Sequence, residues 1–164
     1  MSDKPYYEQE YHAPESDIPD PSVGEIFKGL FLYPFTWAAR STRKAFWVAF
    51  VIQFLLTIVI GVISVAVFIP NGVLSVSRND MSWVLTHISF GVWLIELILF
   101  ILLVWIKLGL LGYAVRRLHD ANYSGWWLWL IFIPFGWIIV VIFLLLPTVE
   151  EPVRWGSYLF VRSE

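Results

Sequence analysis

The sequence contains no cysteine among its 164 residues. This absence excludes disulfides, zinc–thiolate sites, iron–sulfur clusters and cysteine nucleophiles. Charged residues are also scarce, at 15% of the chain against about 25% in typical soluble domains. The 11 Lys and Arg residues do not exceed the 13 Asp and Glu residues, so the basic surplus of a nucleic-acid-binding protein is missing. Hydrophobic residues make up 59%, which is typical neither of a soluble domain nor of a disordered chain.

The apolar residues fall into three long segments. No charged residue occurs between residues 45 and 77, and only Glu96 and Lys107 interrupt the second segment. A membrane-spanning helix needs about 20 mainly apolar residues. We therefore predict three spans, at about 46–69, 88–111 and 126–146. Pro134 and Gly136 predict a kink in the third span. Because lipid cannot satisfy backbone hydrogen bonds, the predicted fold is all-α: a polytopic integral membrane protein with three transmembrane helices in one domain, 45–147.

The flanking segments have a different composition. Residues 1–22 hold six acidic residues, one lysine and four prolines, which predicts a disordered acidic tail. Residues 23–44 form the next segment. Its part from residue 23 to residue 37 is too short to span the bilayer and contains Pro34. Phe27, Leu30, Phe31 and Phe35 can enter the headgroup boundary, which favours a short interfacial segment, followed by a basic anchor before the first span. Residues 148–164 form the predicted C-terminal tail.

The positive-inside rule orients the predicted spans. Six basic residues lie before the first span or in the second connection: Lys28, Arg40, Arg43, Lys44, Arg116 and Arg117. The first connection and the C-terminal tail have three: Arg78, Arg154 and Arg162. We therefore predict that the N-terminus and the second connection are cytoplasmic and that the C-terminus is outside. A fourth, broken span would instead return the C-terminus to the cytoplasm.

A basic and aromatic cluster precedes the first span. Its members are Arg40, Arg43, Lys44, Phe46 and Trp47. Cations at this position attract anionic lipid headgroups, and aromatic residues anchor a helix at the interface. We interpret the cluster as a lipid anchor. A phosphate site or a partner-protein site is the alternative.

A second cluster occupies the connection between the second and third spans. It comprises Arg116, Arg117, His119, Asp120, Ser124, Gly125, Trp126 and Trp127. Asn122 can take the left-handed conformation that ends a helix, and Ser124 can cap the next one. We interpret the cluster as a structural hairpin, with its arginines on Asp120 or lipid phosphate. Acid–base chemistry by His119 and Asp120 is the alternative, although adjacent helical residues diverge by about 100°.

Glu96 is an acidic residue within the second predicted span, where a charge is costly. It is interpreted either as structural glue bonded to Gln53 or Thr57, or as a proton or cation site. The histidines lack metal-ligand spacing, and no glycine-rich phosphate loop occurs. We therefore predict no metal, no cofactor and no catalytic residue.

The second cluster resembles a family called domain of unknown function 805. The matching residues are Arg116-Arg117-Leu118-His119-Asp120, then Ser124-Gly125-Trp126-Trp127, then Ile133-Pro134 and Gly136-Trp137. Arg40, Arg43, Lys44, Phe46 and Trp47 resemble a second motif of that family, so the likeness covers residues 40–156. The resemblance implies a small bacterial inner-membrane protein, and it implies no particular chemistry.

Together these features favour a non-enzymatic membrane component that binds anionic lipid headgroups, with a protein partner or a homo-oligomer also open. A membrane enzyme acting on a lipid headgroup through His119 and Asp120 is one alternative. A subunit of an oligomeric transporter or channel that uses Glu96 is another, because three helices alone rarely enclose a pathway.

Overall fold

The computed structural model describes residues 20–68, 90–149, 155 and 158–159. Within these ranges the chain is helical, which confirms the all-α class for the described residues. The elements are α1 (Val23–Leu32), α2 (Arg43–Phe68), α3 (Phe90–Asp120), a 3₁₀ helix (Gly125–Phe132) and α4 (Gly136–Leu145). Arg40 and Tyr158 form an isolated parallel bridge. All but the last three residues of the predicted acidic tail lie outside the described ranges.

The helices α2 and α3 are long and apolar enough to cross a membrane. Their 26 and 31 residues extend for about 39 and 46 Å, more than the roughly 30 Å of a bilayer's hydrocarbon core. Most of their large apolar side chains are exposed, a surface that a soluble protein rarely leaves in water. These two helices correspond to the first and second predicted spans.

The third predicted span, 126–146, is not a single helix. The 3₁₀ helix ends at Phe132, residues 133–135 turn, and α4 then has 10 residues, about half of what a span needs. Phe135 adopts a left-handed conformation with φ 65°. A side chain at Gly136 would overlap the carbonyl group of Leu130, so the two limbs approach closely here. The count of three spans is therefore not confirmed, and the predicted kink is a turn.

The segment before α2 packs against the protein as well as exposing aromatic residues. A capping box between Ser22 and Glu25 begins α1. Its Leu30 is fully buried, although the sequence suggested an interfacial role for this side chain. The Tyr113 hydroxyl of α3 donates a hydrogen bond of 3.0 Å to the carbonyl of Ile26. Phe27 is exposed, as an interfacial element requires.

The chain divides into two compact units. The first comprises Met1–Val51 and Leu108–Glu164, and the second comprises Ile52–Lys107. The first unit therefore holds α1, the start of α2, the end of α3, the 3₁₀ helix and α4. The second unit holds the remaining parts of α2 and α3.

Gly109→Ala tests the docking of α1 on α3. A methyl group at this position would overlap the Leu30 carbonyl, so we expect a loss of about 1–3 kcal/mol, as in other overpacked sites. Gly61→Ala is the matched control, because nothing lies within 4 Å of its added carbon. Unfolding temperatures in mild detergent should fall for Gly109→Ala and stay level or rise for Gly61→Ala. Equal unfolding temperatures would contradict the close approach.

Candidate functional site

The carboxylate of Asp120, at the end of α3, is fully buried and accepts four hydrogen bonds. Oδ1 accepts from Arg40 Nη2 and from the Tyr158 hydroxyl, each at 2.9 Å. Oδ2 accepts from Arg117 Nη1 at 2.7 Å and from the Thr148 hydroxyl at 2.8 Å. Each oxygen therefore has one guanidinium and one hydroxyl partner. We call these five residues the Asp120 latch.

Further bonds from the latch hold backbone on both sides of it. The Val149 amide donates to the Asp120 carbonyl at 3.2 Å, and Arg40 Nη2 donates to the Val149 carbonyl at 3.3 Å. Arg117 donates through Nε to the Leu144 carbonyl at 3.2 Å and through Nη2 to the Leu146 carbonyl. Leu144 lies in the last turn of α4 and Leu146 caps its C-terminus, where no intrahelical donor remains for the carbonyls. The latch therefore joins the ends of α3 and α4.

Ion pairs and hydrogen bonds offset the burial of charge in the latch. The side chains of Arg117 and Asp120 are completely inaccessible, and that of Arg40 is 11% exposed. Burying such charges costs several kcal/mol unless each is paired and hydrogen-bonded. Burial raises the pKa of Tyr158 above its usual 10.0, and the negative charge of Asp120 raises it further. The phenol thus keeps the proton that it donates to Asp120.

Arg116 lies in the same unit but bonds to the chain after α1 and to its own helix instead of to the latch. Its Nε donates to the Gly112 carbonyl at 2.9 Å, and Nη2 donates to the Tyr33 carbonyl at 3.0 Å. The guanidinium lies 4.4 Å from the ring centre of Tyr113, a cation–π distance. The Arg116 carbonyl accepts from the Ser41 amide at 3.2 Å. Arg117 meets Asp120 as predicted, whereas the fully buried Arg116 faces neither Asp120 nor the outside.

His119 is buried in an aromatic stack. Its ring lies 3.7 Å from that of Trp155 and nearly parallel to it, with an interplanar angle of 6°. Among the described residues, Nδ1 has no hydrogen-bond partner. The Asp120 oxygens are occupied by the arginines and hydroxyls of the latch, and His119 is not among their partners. The structure therefore does not assemble the acid–base pair suggested by the adjacent positions.

The connection after α3 has the local geometry that its sequence indicates. Asn122 adopts a left-handed conformation with φ 62°, which confirms the helix stop. The Ser124 hydroxyl accepts from the Trp126 amide at 3.4 Å, which confirms the cap. Gly125 begins the 3₁₀ helix, and Trp126 and Trp127 both expose their rings.

The basic and aromatic cluster before α2 separates into buried and exposed members. Arg40 belongs to the latch, and Phe46 is buried. Trp47 is half-buried and meets the ring of Phe46 edge-on at 5.2 Å. Arg43 and Lys44 are exposed, and Lys44 pairs with Asp20 at 2.6 Å. Of the cations predicted to contact lipid, these two are the accessible ones.

Glu96 lies in the second unit and bonds to a residue other than those predicted. The Ser64 hydroxyl donates to Glu96 Oε2 at 2.8 Å. Gln53 instead bonds to the Thr57 hydroxyl at 2.8 Å within α2, so the predicted bonds from Gln53 or Thr57 to Glu96 are wrong. Glu96 Oε1 is buried and has no partner among the described residues. The described part of the chain contains no group of three His, Asp or Glu residues that could hold a metal.

Two latch residues were missed by the sequence reasoning. Thr148 and Tyr158 lie in the short C-terminal tail, where no motif or periodicity distinguishes them. They are 28 and 38 residues from Asp120 in the chain. Thr148 directly follows the proline that ends the apolar run, but this position alone does not predict a contact with Asp120.

The family model for proteins of unknown function called DUF805 matches residues 34–157. The chain belongs to the DUF805 family. The family indicated by the arginine, aspartate and tryptophan motifs is thereby confirmed. The matched range includes Arg40, Arg117, Asp120 and Thr148 and stops one residue before Tyr158.

Two relatives from Escherichia coli strain K12 are similar to the chain. Inner membrane protein YhaH is 31% identical over 107 residues, which cover 63% of this chain and 70% of YhaH. Inner membrane protein YhaI is 39% identical over 51 residues, which cover 30% of this chain and 43% of YhaI. No solved structure matches the chain. These likenesses support a location in a bacterial inner membrane.

Replacing Asp120 should destabilise the DUF805 protein severely. Asp120→Ala leaves the buried Arg117 and Arg40 uncompensated, and breaking a buried ion pair typically costs about 3–5 kcal/mol. Glu96→Gln should cost less, because an amide oxygen can still accept from Ser64. Thermal unfolding of both variants in detergent measures the difference. Asp20→Asn, which breaks an exposed pair, is the control and should change little.

The opposite ranking has a clear meaning. If Glu96→Gln lowers the unfolding temperature more than Asp120→Ala does, the acid within the second unit organises the protein and the latch does not.

Proposed function

We propose that this DUF805 protein is a non-enzymatic component of a bacterial inner membrane that binds anionic lipid headgroups at the cytoplasmic face. The observation that carries the proposal is the division of its cations. Arg40, Arg116 and Arg117 donate hydrogen bonds to groups inside the protein, whereas Arg43 and Lys44 are exposed at the start of α2. Lipid binding is therefore assigned to Arg43 and Lys44.

The position of these two cations suits a headgroup site. They occupy the first turn of α2, a helix long enough to cross the bilayer, and its apolar side chains follow directly. Anionic lipids attract basic residues near the surface with about 1 kcal/mol per cation. The pair between Lys44 and Asp20 is exposed and competes only weakly with lipid. The excess of basic residues on this side of the predicted spans favours a cytoplasmic N-terminus.

A transporter or channel subunit is the second candidate function. It rests on Glu96, whose Oε1 is buried without a partner among the described residues. A buried acid in a membrane helix is a functional hypothesis by default. Its neighbour Ser64 is neutral, and a single acid falls short of the paired groups that a proton relay uses. Lipid binding therefore remains the leading proposal.

Arg43→Gln with Lys44→Gln should weaken the binding of phosphatidylglycerol. Losing about 2 kcal/mol of headgroup attraction corresponds to a roughly 30-fold lower affinity. Titration of the detergent-purified protein with this lipid, followed by native mass spectrometry, measures the change. Lys4→Gln with Arg162→Gln removes the same charge elsewhere in the chain and should leave the affinity nearly unaltered. Equal affinities for both double variants would contradict the assignment.

His119→Phe separates a structural role of His119 from a chemical one. Phenylalanine keeps an aromatic ring against Trp155 but cannot transfer a proton. We expect this variant to restore a deletion strain to the wild-type phenotype, with an unfolding temperature near that of the wild type. A variant that folds normally and fails to restore the phenotype would support an enzyme that acts through the imidazole.

A further inference from the structure

The broken third apolar segment begins and ends at the same place. It leaves α3 just after Asp120, and its far end returns to that residue through Thr148 and Val149. Arg117, one turn before Asp120 on α3, holds the Leu144 and Leu146 carbonyls at the end of α4. A helix that crossed the bilayer would instead separate its two ends by about 30 Å.

The two limbs of this segment also lie side by side. The ring of Tyr123, just before the 3₁₀ helix, stacks on Phe143 of α4 at 4.4 Å. Trp127 meets the same ring edge-on at 5.4 Å. At the opposite end, the backbone of Gly136 abuts the Leu130 carbonyl. The 3₁₀ helix and α4 therefore form an antiparallel hairpin whose tip is the turn at residues 133–135.

The length of the hairpin matches half of a bilayer. Eight residues of 3₁₀ helix rise by about 16 Å, and ten residues of α-helix rise by about 15 Å. A hydrocarbon core is about 30 Å thick, so each limb reaches roughly to its middle. Apolar helices of 10–14 residues are too short to span the bilayer and occur in buried cores and in re-entrant or interfacial segments.

The surface of the hairpin is suited to lipid. No charged residue occurs from residue 121 to 149. The rings of Trp126, Phe132 and Phe135 are 75%, 77% and 76% exposed. The tip also leaves few backbone amides without a hydrogen bond. The Ile133 amide donates to the Leu130 carbonyl at 3.0 Å, and the Gly136 amide donates to the Ile133 carbonyl at 2.9 Å. Pro134 has no amide proton. Such pairing is what a turn at membrane depth requires.

We propose that residues 125–146 form a re-entrant hairpin that dips into the cytoplasmic leaflet, with lipid acyl chains covering its exposed aromatic face. The C-terminal tail then lies on the same side of the membrane as Arg116 and Arg117. This assignment replaces the predicted outside C-terminus. It does not depend on lipid binding by Arg43 and Lys44.

The location of the C-terminus tests the hairpin directly. Because the chain has no cysteine, Ser163→Cys introduces a single thiol, which can be labelled with a membrane-impermeant maleimide. In intact spheroplasts this thiol should stay unlabelled, and permeabilised cells should label it. Ser77→Cys, in the connection predicted to lie outside, is the matched control and should react in both. Labelling of Ser163→Cys in intact spheroplasts would overturn the proposal.

A fusion protein provides a second measurement that does not depend on thiol reactivity. Green fluorescent protein attached after Glu164 should fluoresce, since it folds in the cytoplasm and not after export. Alkaline phosphatase attached at the same point should be inactive, because it needs the oxidising side of the membrane. An active phosphatase fusion with a dark fluorescent fusion would place the C-terminus outside and refute the hairpin.

The occupant of the aromatic face requires a separate test. Phe132→Cys carrying an environment-sensitive fluorophore is reconstituted in vesicles of phosphatidylethanolamine and phosphatidylglycerol. Spin labels deep on the acyl chains should quench it more strongly than spin labels on the headgroup. Ser163→Cys with the same fluorophore is the control and should be quenched weakly by both. Absence of quenching at residue 132 would show that protein, such as a second copy of the chain, covers this face.

Discussion

A single buried carboxylate held between two guanidinium groups determines where three segments of this protein meet. Asp120 ends α3, Arg40 precedes α2, and Thr148 and Tyr158 come from the C-terminal tail. Removing these charges from water is unfavourable unless all of them are satisfied at once. None of the segments can therefore move away without leaving a charged or polar group unpaired. Four short hydrogen bonds also fill both carboxylate oxygens, which leaves no site for His119.

The geometry of an α-helix explains how neighbouring motif residues acquire different tasks. Successive side chains point about 100° apart, so Arg116 and Arg117 face different surroundings. Arg116 reaches the Tyr33 carbonyl, whereas Arg117 reaches Asp120 and the end of α4. The same divergence separates His119 from Asp120. The adjacent residues Arg116 and Arg117 therefore hold two different parts of the fold: the chain after α1 and the end of α4.

The sequence predicts some features of this protein well for physical reasons. The spans 46–69 and 88–111 correspond to α2 and α3, because a long apolar run without charge has few alternatives to a membrane helix. The third run has the same composition but folds back. Its reversal depends on the left-handed Phe135 and on the bonds from Arg117 to carbonyls 27 and 29 residues away. The hydropathy of the sequence predicts neither this backbone conformation nor these long-range bonds. The contacts of Thr148 and Tyr158 were unpredictable for the same reason, since they join distant parts of the chain.

Arg117 connects the latch to the proposed hairpin, and this double role links folding to membrane insertion. Its Nη1 compensates Asp120, while Nε and Nη2 pair the carbonyls at the end of α4 that would otherwise lack donors. If α4 crossed the bilayer, these carbonyls would reach the opposite surface and Arg117 would lose two of its three partners. A buried guanidinium without partners is strongly unfavourable, so the latch itself favours the return of the chain. The most specific motif of the sequence therefore has a structural explanation that requires no catalysis: it closes the fold and, in the proposed hairpin, keeps the C-terminus on the side of Arg116 and Arg117.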